Sequence, residues 1–249
     1  MTMHTIDLNA DMGEYANDRE RDNEAALMPL ISSCSIACGG HAGDKTTMQA
    51  TVRLAKTHRV SIGAHPAYPD REGFGRRNLE YDSESLQSSL CEQVDSLKSI
   101  ASGEGSALRH VKPHGALYNA AAKDIALAKL VAKAAEGLIL VGPPGSALEQ
   151  AAKETGLAFA AEGFVDRLYQ FSGALTPRSE PGAIIEDITA RADQALAIAA
   201  GNVFKAADGE LRLSVKTLCI HSDSPGAVET AKAARAKLEA NGFTIRAFT

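Results

Sequence analysis

The segment RHVKPHGALYN (109–119) sets His110, Lys112 and His114 at alternate positions. Alternate residues of an extended strand share a face, so three cationic or potentially cationic groups point to one side. A buried strand tolerates that only if the groups have partners. Histidines and carboxylates also gather in other short blocks: DLNADMGE (7–14), CGGHAGD (38–44), GAHPAYPDREGFGRR (63–77), EGFVDRLY (162–169) and CIHSD (219–223). Asp7, Asn9 and Asp11 alternate in the first of these. Imidazoles beside carboxylates suit general acid–base chemistry near neutral pH, and they suit a divalent metal with mixed nitrogen and oxygen ligands equally well. A lysine among them holds a substrate carboxylate or steadies an oxyanion. No HExxH is present, so a metal reading rests on convergence in space alone. His110 reads as a packed histidine of the interior rather than a reactive one.

Such groups must be carried by elements that bring them together. Short apolar runs alternate with helical patterns along the whole chain: TIDLN before 18–31, SIACG before 44–57, and VSIGAHP before a loop and 83–102. ALRHVKPHG then precedes 119–136, LILVGPP precedes 145–155, and AFAAEGF precedes a loop and 182–200. TLCIHSD precedes 225–241, and FTIRAF closes the series. This alternation predicts parallel β/α architecture. Seven or eight units in 249 residues, with no linker or low-complexity block, point to one closed β/α barrel domain over 1–249. All strand C-termini of such a barrel share one rim. That rim would collect Asp11, Glu14, His41, Asp44, His65, Asp70, Lys112, His114, Glu162, Asp166, Arg167, His221 and Asp223. Several of these have plainer readings. Asp44, Asn119 and Asp223 suit helix caps, Asp70 suits a turn, and His4 and His58 read as solvent-facing. Cys38 and Cys219 read as small buried side chains.

The bulk numbers narrow the class. A net charge of −5 without a basic stripe argues against nucleic acid. The start has no apolar signal core and no run approaches membrane-spanning length, so a cytoplasmic, membrane-free enzyme is expected. Four cysteines without paired spacing are expected to stay reduced. There is no phosphate loop, no GxGxxG after a strand and no GxSxG elbow. VGPPGSALE offers only a glycine–proline corner ahead of a helix.

Taken in order, the six blocks resemble those of the LamB/YcsF family, over about residues 5 to 248. The resemblance implies an irregular seven-stranded β/α barrel shared with polysaccharide-deacetylase-like hydrolases. The implied activity is that of an ATP-hydrolysing 5-oxoprolinase, which opens the lactam of 5-oxo-L-proline (pyroglutamate) to L-glutamate with two further subunits, B and C. ATP is then a co-substrate. Asp11, His65, Lys112 and His114 become the expected catalytic set, with Lys112 on the substrate carboxylate or phosphoryl oxygens. His114 or His65 takes a proton from water, oriented by Asp11 or Asp7. Asn9, Glu14, Tyr118, Asp166, Arg167 and His221 are expected to bind substrate. The deacetylase-like fold adds a divalent metal on Asp11, His41 and His65 as an alternative. A stand-alone metal-dependent deacetylase or amidase, a non-catalytic lactam-binding subunit, and a homo-oligomer stay open. The sequence departs from the family pattern at Ser35, where asparagine is usual, and at Ser222, where glycine is usual.

Overall fold

In the computed structural model, which describes residues 4–248, β1 (His4–Met12) is apolar on one face and polar on the other, and both faces are buried. Leu8, Ala10 and Met12 join the hydrophobic cluster under the helices. Asp7, Asn9 and Asp11 alternate with them and reach polar partners on facing strands. Six more strands complete the sheet: β2 (Ser33–Ala37), β3 (Ser61–His65), β4 (Leu108–Val111), β5 (Ile139–Gly142), β6 (Phe159–Phe164) and β9 (Thr217–Ile220). Each pairs parallel with the next, and β9 pairs with both β6 and β1. The sheet is therefore a closed seven-stranded parallel barrel. β10 (Phe243–Ile245) adds a short parallel pairing to the start of β1.

The helices α1 (Asp18–Leu27), α2 (Lys45–His58), α3 (Ser83–Gly103), α4 (Gly115–Ala121), α5 (Ile125–Ala134), α6 (Ala147–Thr155), α7 (Ile188–Ala199) and α8 (Ala227–Ala240) flank the barrel. On α3, Leu86, Leu90, Val94 and Leu97 are buried at the spacing read from the sequence. Asp44 caps α2 by accepting from the Thr47 amide, as its position suggested. Two other capping expectations fail. Asn119 lies inside α4 and donates to the Gly115 carbonyl, because α4 already starts at Gly115. Asp223 is drawn to Arg76 and Arg178 instead, and Gly226, in the left-handed region, occupies the N-cap of α8. The helix expected over 119–136 is two helices, since the Asp124 carboxylate caps a new start at α5. An antiparallel hairpin, β7 (Val203–Ala206) and β8 (Gly209–Arg212), was not anticipated. It braces the long loop after β6, accepting from the Phe171 amide at Asp208 and donating from the Ala207 amide to the Tyr169 carbonyl.

The barrel lumen is polar and hydrogen-bonded. Asp7 accepts from Ser32, Ser33 and Thr217. Asn9 donates to Glu162 at 3.0 Å and to Thr217 at 2.6 Å. His110 is 2% exposed and packs directly against Gly63, where a Cβ would come 2.2 Å from its ring. The Ser35 hydroxyl is 3.2 Å from its Nε2 and the Phe248 ring packs against it. Burial pushes its pKa down to about 3, so His110 is the neutral packed histidine the sequence suggested. No helix of the described residues is long and apolar enough to cross a membrane.

Candidate active site at the barrel mouth

Five strand ends deliver the side chains at the mouth. β1 supplies Asp11 and, after a turn at Gly13, Glu14. The loop after β2 supplies His41, β3 ends on His65, β4 runs out through Lys112 to His114, and β6 carries Glu162. Glu24 on α1 holds the turn that presents Glu14, accepting from the amides of Gly13 at 2.7 Å and Glu14 at 3.0 Å. Burial lifts the Glu24 pKa to about 7.

Lys112 Nζ lies 2.8 Å from Asp11 Oδ1 and 2.9 Å from Glu162 Oε1, with Asn9 Oδ1 at 3.3 Å and Cys219 Sγ at 3.1 Å. Burial opposes its charge, but Asp11, Cys219 and Glu162 outweigh burial and hold its pKa well above the usual lysine range. The face of β4 that looked cationic in sequence is thus neutralised from across the barrel. Lys112 is occupied with carboxylates rather than open to an anion.

Two backbone carbonyls fix the histidine tautomers. His65 Nδ1 donates to the Lys112 carbonyl at 2.7 Å, and His114 Nε2 donates to the Phe74 carbonyl at 3.0 Å. Phe74 is in the left-handed region, with φ of 52°. His65 Nε2 and His114 Nδ1 therefore face each other at 2.9 Å. Glu14 Oε1 is 3.2 Å from that His114 nitrogen and 3.7 Å from His65 Nε2, and it accepts from His41 Nε2 at 2.7 Å. His41 stacks on His114 with centroids 3.7 Å apart. Burial pushes His41 down to about 4 and lowers His114. Burial also works against the charge on His65, but Asp11, 3.4 Å from Nε2, raises its pKa. Asp11 and Glu14 both fall well below the usual carboxylate range, because the cations and imidazoles beside them outweigh burial. The surroundings thus favour the charged form of His65 and the neutral form of His114, whose nitrogens face each other.

A second pair stands opposite. His221 Nδ1 is 2.9 Å from Asp166 Oδ1, and Ser224 donates to Asp166 Oδ2 at 2.7 Å. Burial would raise Asp166, but His221 and Ser224 bring it to about 2. Phe164 stacks on the His221 ring.

Most of these groups border a cavity of about 710 Å³. Asp11, Glu14, His65, Lys112, His114, Tyr118, Glu162, Arg167 and His221 line it, and Arg76 and Arg178 stand at its outer part. Tyr118 is buried with its hydroxyl unpartnered among the described residues. Of the sequence candidates, Asn9 sits beneath Lys112 and Asp166 behind His221. Neither borders the cavity. Asp7, four positions before Asp11 on β1, is tied to Ser32, Ser33 and Thr217 and does not reach the histidines as the expected orienting carboxylate. Asp70 makes a turn with the Gly73 amide and an ion pair with Arg77. His41 and His65 are grouped with Glu14 and His114, whereas Asp11 of the expected metal trio is turned to Lys112 and to the edge of His65. Sequence reasoning missed Glu24, Arg76 and Arg178. The GRR of the third block was the available signal for Arg76. Ser35 contacts the packed His110, and Ser222 is not in the left-handed region, so neither departure strains the backbone.

A family model described as "LamB/YcsF family" matches residues 6–249. The A subunit of a 5-oxoprolinase from Chloroflexus aggregans is 45% identical, with 98% of this chain and 99% of the relative covered. A protein of the same name from Methylococcus capsulatus is 44% identical over 98% and 95%. The crystal structure of a lactam utilization protein from Thermus thermophilus superposes with a TM-score of 0.89 at 42% identity, covering 98% of this chain and all of that one. A family 4 carbohydrate esterase from Streptomyces lividans aligns at a TM-score of 0.53 with 10% identity, over 99% of this chain and 93% of the esterase. That likeness is one of fold alone.

Proposed function

The chain belongs to the LamB/YcsF family, and from that premise we propose that it is the lactam-opening A-type component of an ATP-dependent 5-oxoprolinase, converting 5-oxo-L-proline to L-glutamate. The observation that carries this reading is the 2.9 Å approach of His65 Nε2 and His114 Nδ1 in a carboxylate-flanked mouth. A lactam amide is a poor electrophile. Transfer of the γ-phosphoryl group from ATP to the lactam carbonyl oxygen, with ADP leaving, makes its carbon open to water. Neutral His114 takes the proton of the attacking water at Nδ1 as the His65 Nε2 proton that occupies this lone pair turns toward the ring nitrogen. The C–N bond then breaks as the ring nitrogen takes a proton from His65 Nε2, leaving glutamyl phosphate. A second water releases phosphate, so one ATP and two waters give glutamate, ADP and phosphate. Lys112 keeps Asp11 ionised, and Asp11 keeps His65 protonated. Tyr118 and His221 border the space for the ring. The chain works as one barrel unit in the cytoplasm, with B- and C-type partner subunits that deliver nucleotide.

A divalent cation also fits the cluster. The ligand atoms of Glu14, His41, His65 and His114 lie within 4.8 Å of one another, and two tautomers are fixed so that lone pairs face inward when His65 is unprotonated. Glu14, His65 and His114 would hold the ion, which supplies Lewis acidity at the mouth.

The test is ATP-dependent glutamate release by the complex reconstituted with B- and C-type subunits. His65→Gln and His114→Gln are each expected to lower turnover at least about 100-fold, the scale of general acid–base catalysis. Near-normal turnover by both variants removes the assignment.

A further inference from the structure

The mouth is electrically divided by depth. Inside, Asp11, Glu14, Glu162 and Asp166 confront Lys112 and His65, so negative groups are in excess and Lys112 has no free side for an anion. Along the wall that carries Arg167, and outward to the more exposed Arg76 and Arg178, the sign reverses. Arg167 is 5% exposed, yet its guanidinium meets only backbone carbonyls, Nε donating to Ala183 at 3.2 Å and an Nη to Thr176 at 2.7 Å. Among the described residues no carboxylate lies within ion-pair distance of it. Arg76 and Arg178 border the same part of the cavity and share one carboxylate, Asp223. A nearly buried guanidinium without a counter-ion is costly, and here two further guanidiniums add to the cost. Thr176 borders the cavity beside them, and its hydroxyl is buried without a hydrogen-bond partner among the described residues.

We propose that Arg76, Arg167 and Arg178 form a phosphoryl subsite, taking the dianionic group carried on the activated carbonyl oxygen of the substrate. Three guanidiniums against one carboxylate leave two positive charges, the charge of a phosphoryl dianion. A substrate carboxylate would balance only one. Guanidinium forks match phosphoryl oxygens pairwise. The division by depth also orients the ligand, since the phosphoryl group is repelled from the acidic interior and held outside while the ring carbon faces His65 and His114. The inference rests on the ATP-dependent lactam reading for the identity of the ligand and on the arginine geometry for the site itself.

The experiment measures binding of inorganic phosphate, acetate and 5-oxo-L-proline to the isolated chain by calorimetry, for the wild type, Arg178→Gln and Arg76→Gln. Both arginines are partly exposed, at 31% and 41% of their side chains, so the variants are expected to fold. Phosphate is expected to bind, and each substitution to weaken it about tenfold, as loss of a charge-assisted contact does. Affinity for acetate and 5-oxo-L-proline should be unchanged. Absent or unaltered phosphate binding overturns the subsite. So does a selective loss of acetate and 5-oxo-L-proline affinity, which would make the arginines a carboxylate clamp. Phosphate binding of the expected pattern, in a reconstituted complex that does not turn over 5-oxo-L-proline, supports the subsite and removes the lactam reading alone.

Discussion

Replacing Lys112 with methionine keeps the length of the side chain and removes its charge. Two carboxylates, 2.8 and 2.9 Å away, would then be left in the lumen without a cation. At an effective dielectric constant of about 20, each contact at that distance is about 6 kcal/mol of attraction before desolvation is counted. Removing one partner of a buried ion pair costs about 3–5 kcal/mol in practice, which for a chain of this size lowers Tm by roughly 6 to 20 °C. The pH dependence gives the mechanism away. In the wild type, Lys112 has a raised pKa, so its contribution holds below the ordinary lysine value and fails only as pH climbs through the raised one. Asp11 has a lowered pKa, so its contribution is lost only as pH falls below the ordinary carboxylate range. Between about pH 5 and 9 that contribution is flat. In Lys112→Met one carboxyl must hold a proton to relieve repulsion, so the loss should be larger at about pH 8 than at about pH 5. Urea unfolding at both pH values measures it, and adding Glu162→Gln should recover at least about a third of the loss. A single variant within about 1 kcal/mol of wild type at about pH 8, but with weakened affinity for anions, refutes this reasoning and restores Lys112 as an anion contact.

Two further outcomes are expected. Burial raises Asp7 from 3.8 to about 6, so the stability tied to its protonated form is present below about pH 4 and lost as pH rises through about 6. The stability difference between Asp7→Asn and wild type should therefore shift by about 3 kcal/mol between about pH 4 and 7. An unchanged difference in denaturant unfolding would show that Asp7 titrates normally. For the metal, the isolated chain in Zn²⁺ or Mn²⁺ at about 100 times Kd should gain about 2.7 kcal/mol. Calorimetric scanning should show the gain abolished in Glu14→Gln, and absence of any shift counts against the ion.

Sequence was most informative where chemistry and architecture repeat together. Every strand read from apolar runs between 5 and 220 lies in the barrel, and the blocks after them meet at one mouth because parallel strands share that end. The likeness to solved structures supports the same architecture. What a single chain could not display was which charges cancel. Lys112 looked free because its partners, Asp11 and Glu162, lie 101 and 50 positions away and meet it only through strand order around the barrel. Asp223 looked like a cap because Ser224 and Pro225 follow it, but two arginines from distant loops compete for the same carboxylate. Arg167 was legible as a residue of the mouth, though not that backbone carbonyls hold it or that Thr176 stands beside it.

The pairing of β1 with β9 sets a condition on biosynthesis. Asp7 and Thr217, joined by a hydrogen bond, are separated by 210 residues. At about 5–20 residues per second, β1 waits roughly 10 to 40 s for the strand that completes its second edge. During that interval Asp7, Asn9 and Asp11 lack Thr217 and Glu162, and β1 presents an open edge to other nascent chains. A polar face is soluble while it waits and is satisfied only by the right strand. The polar residues that tie β1 into the finished barrel would also keep this first strand from sticking to the wrong neighbour.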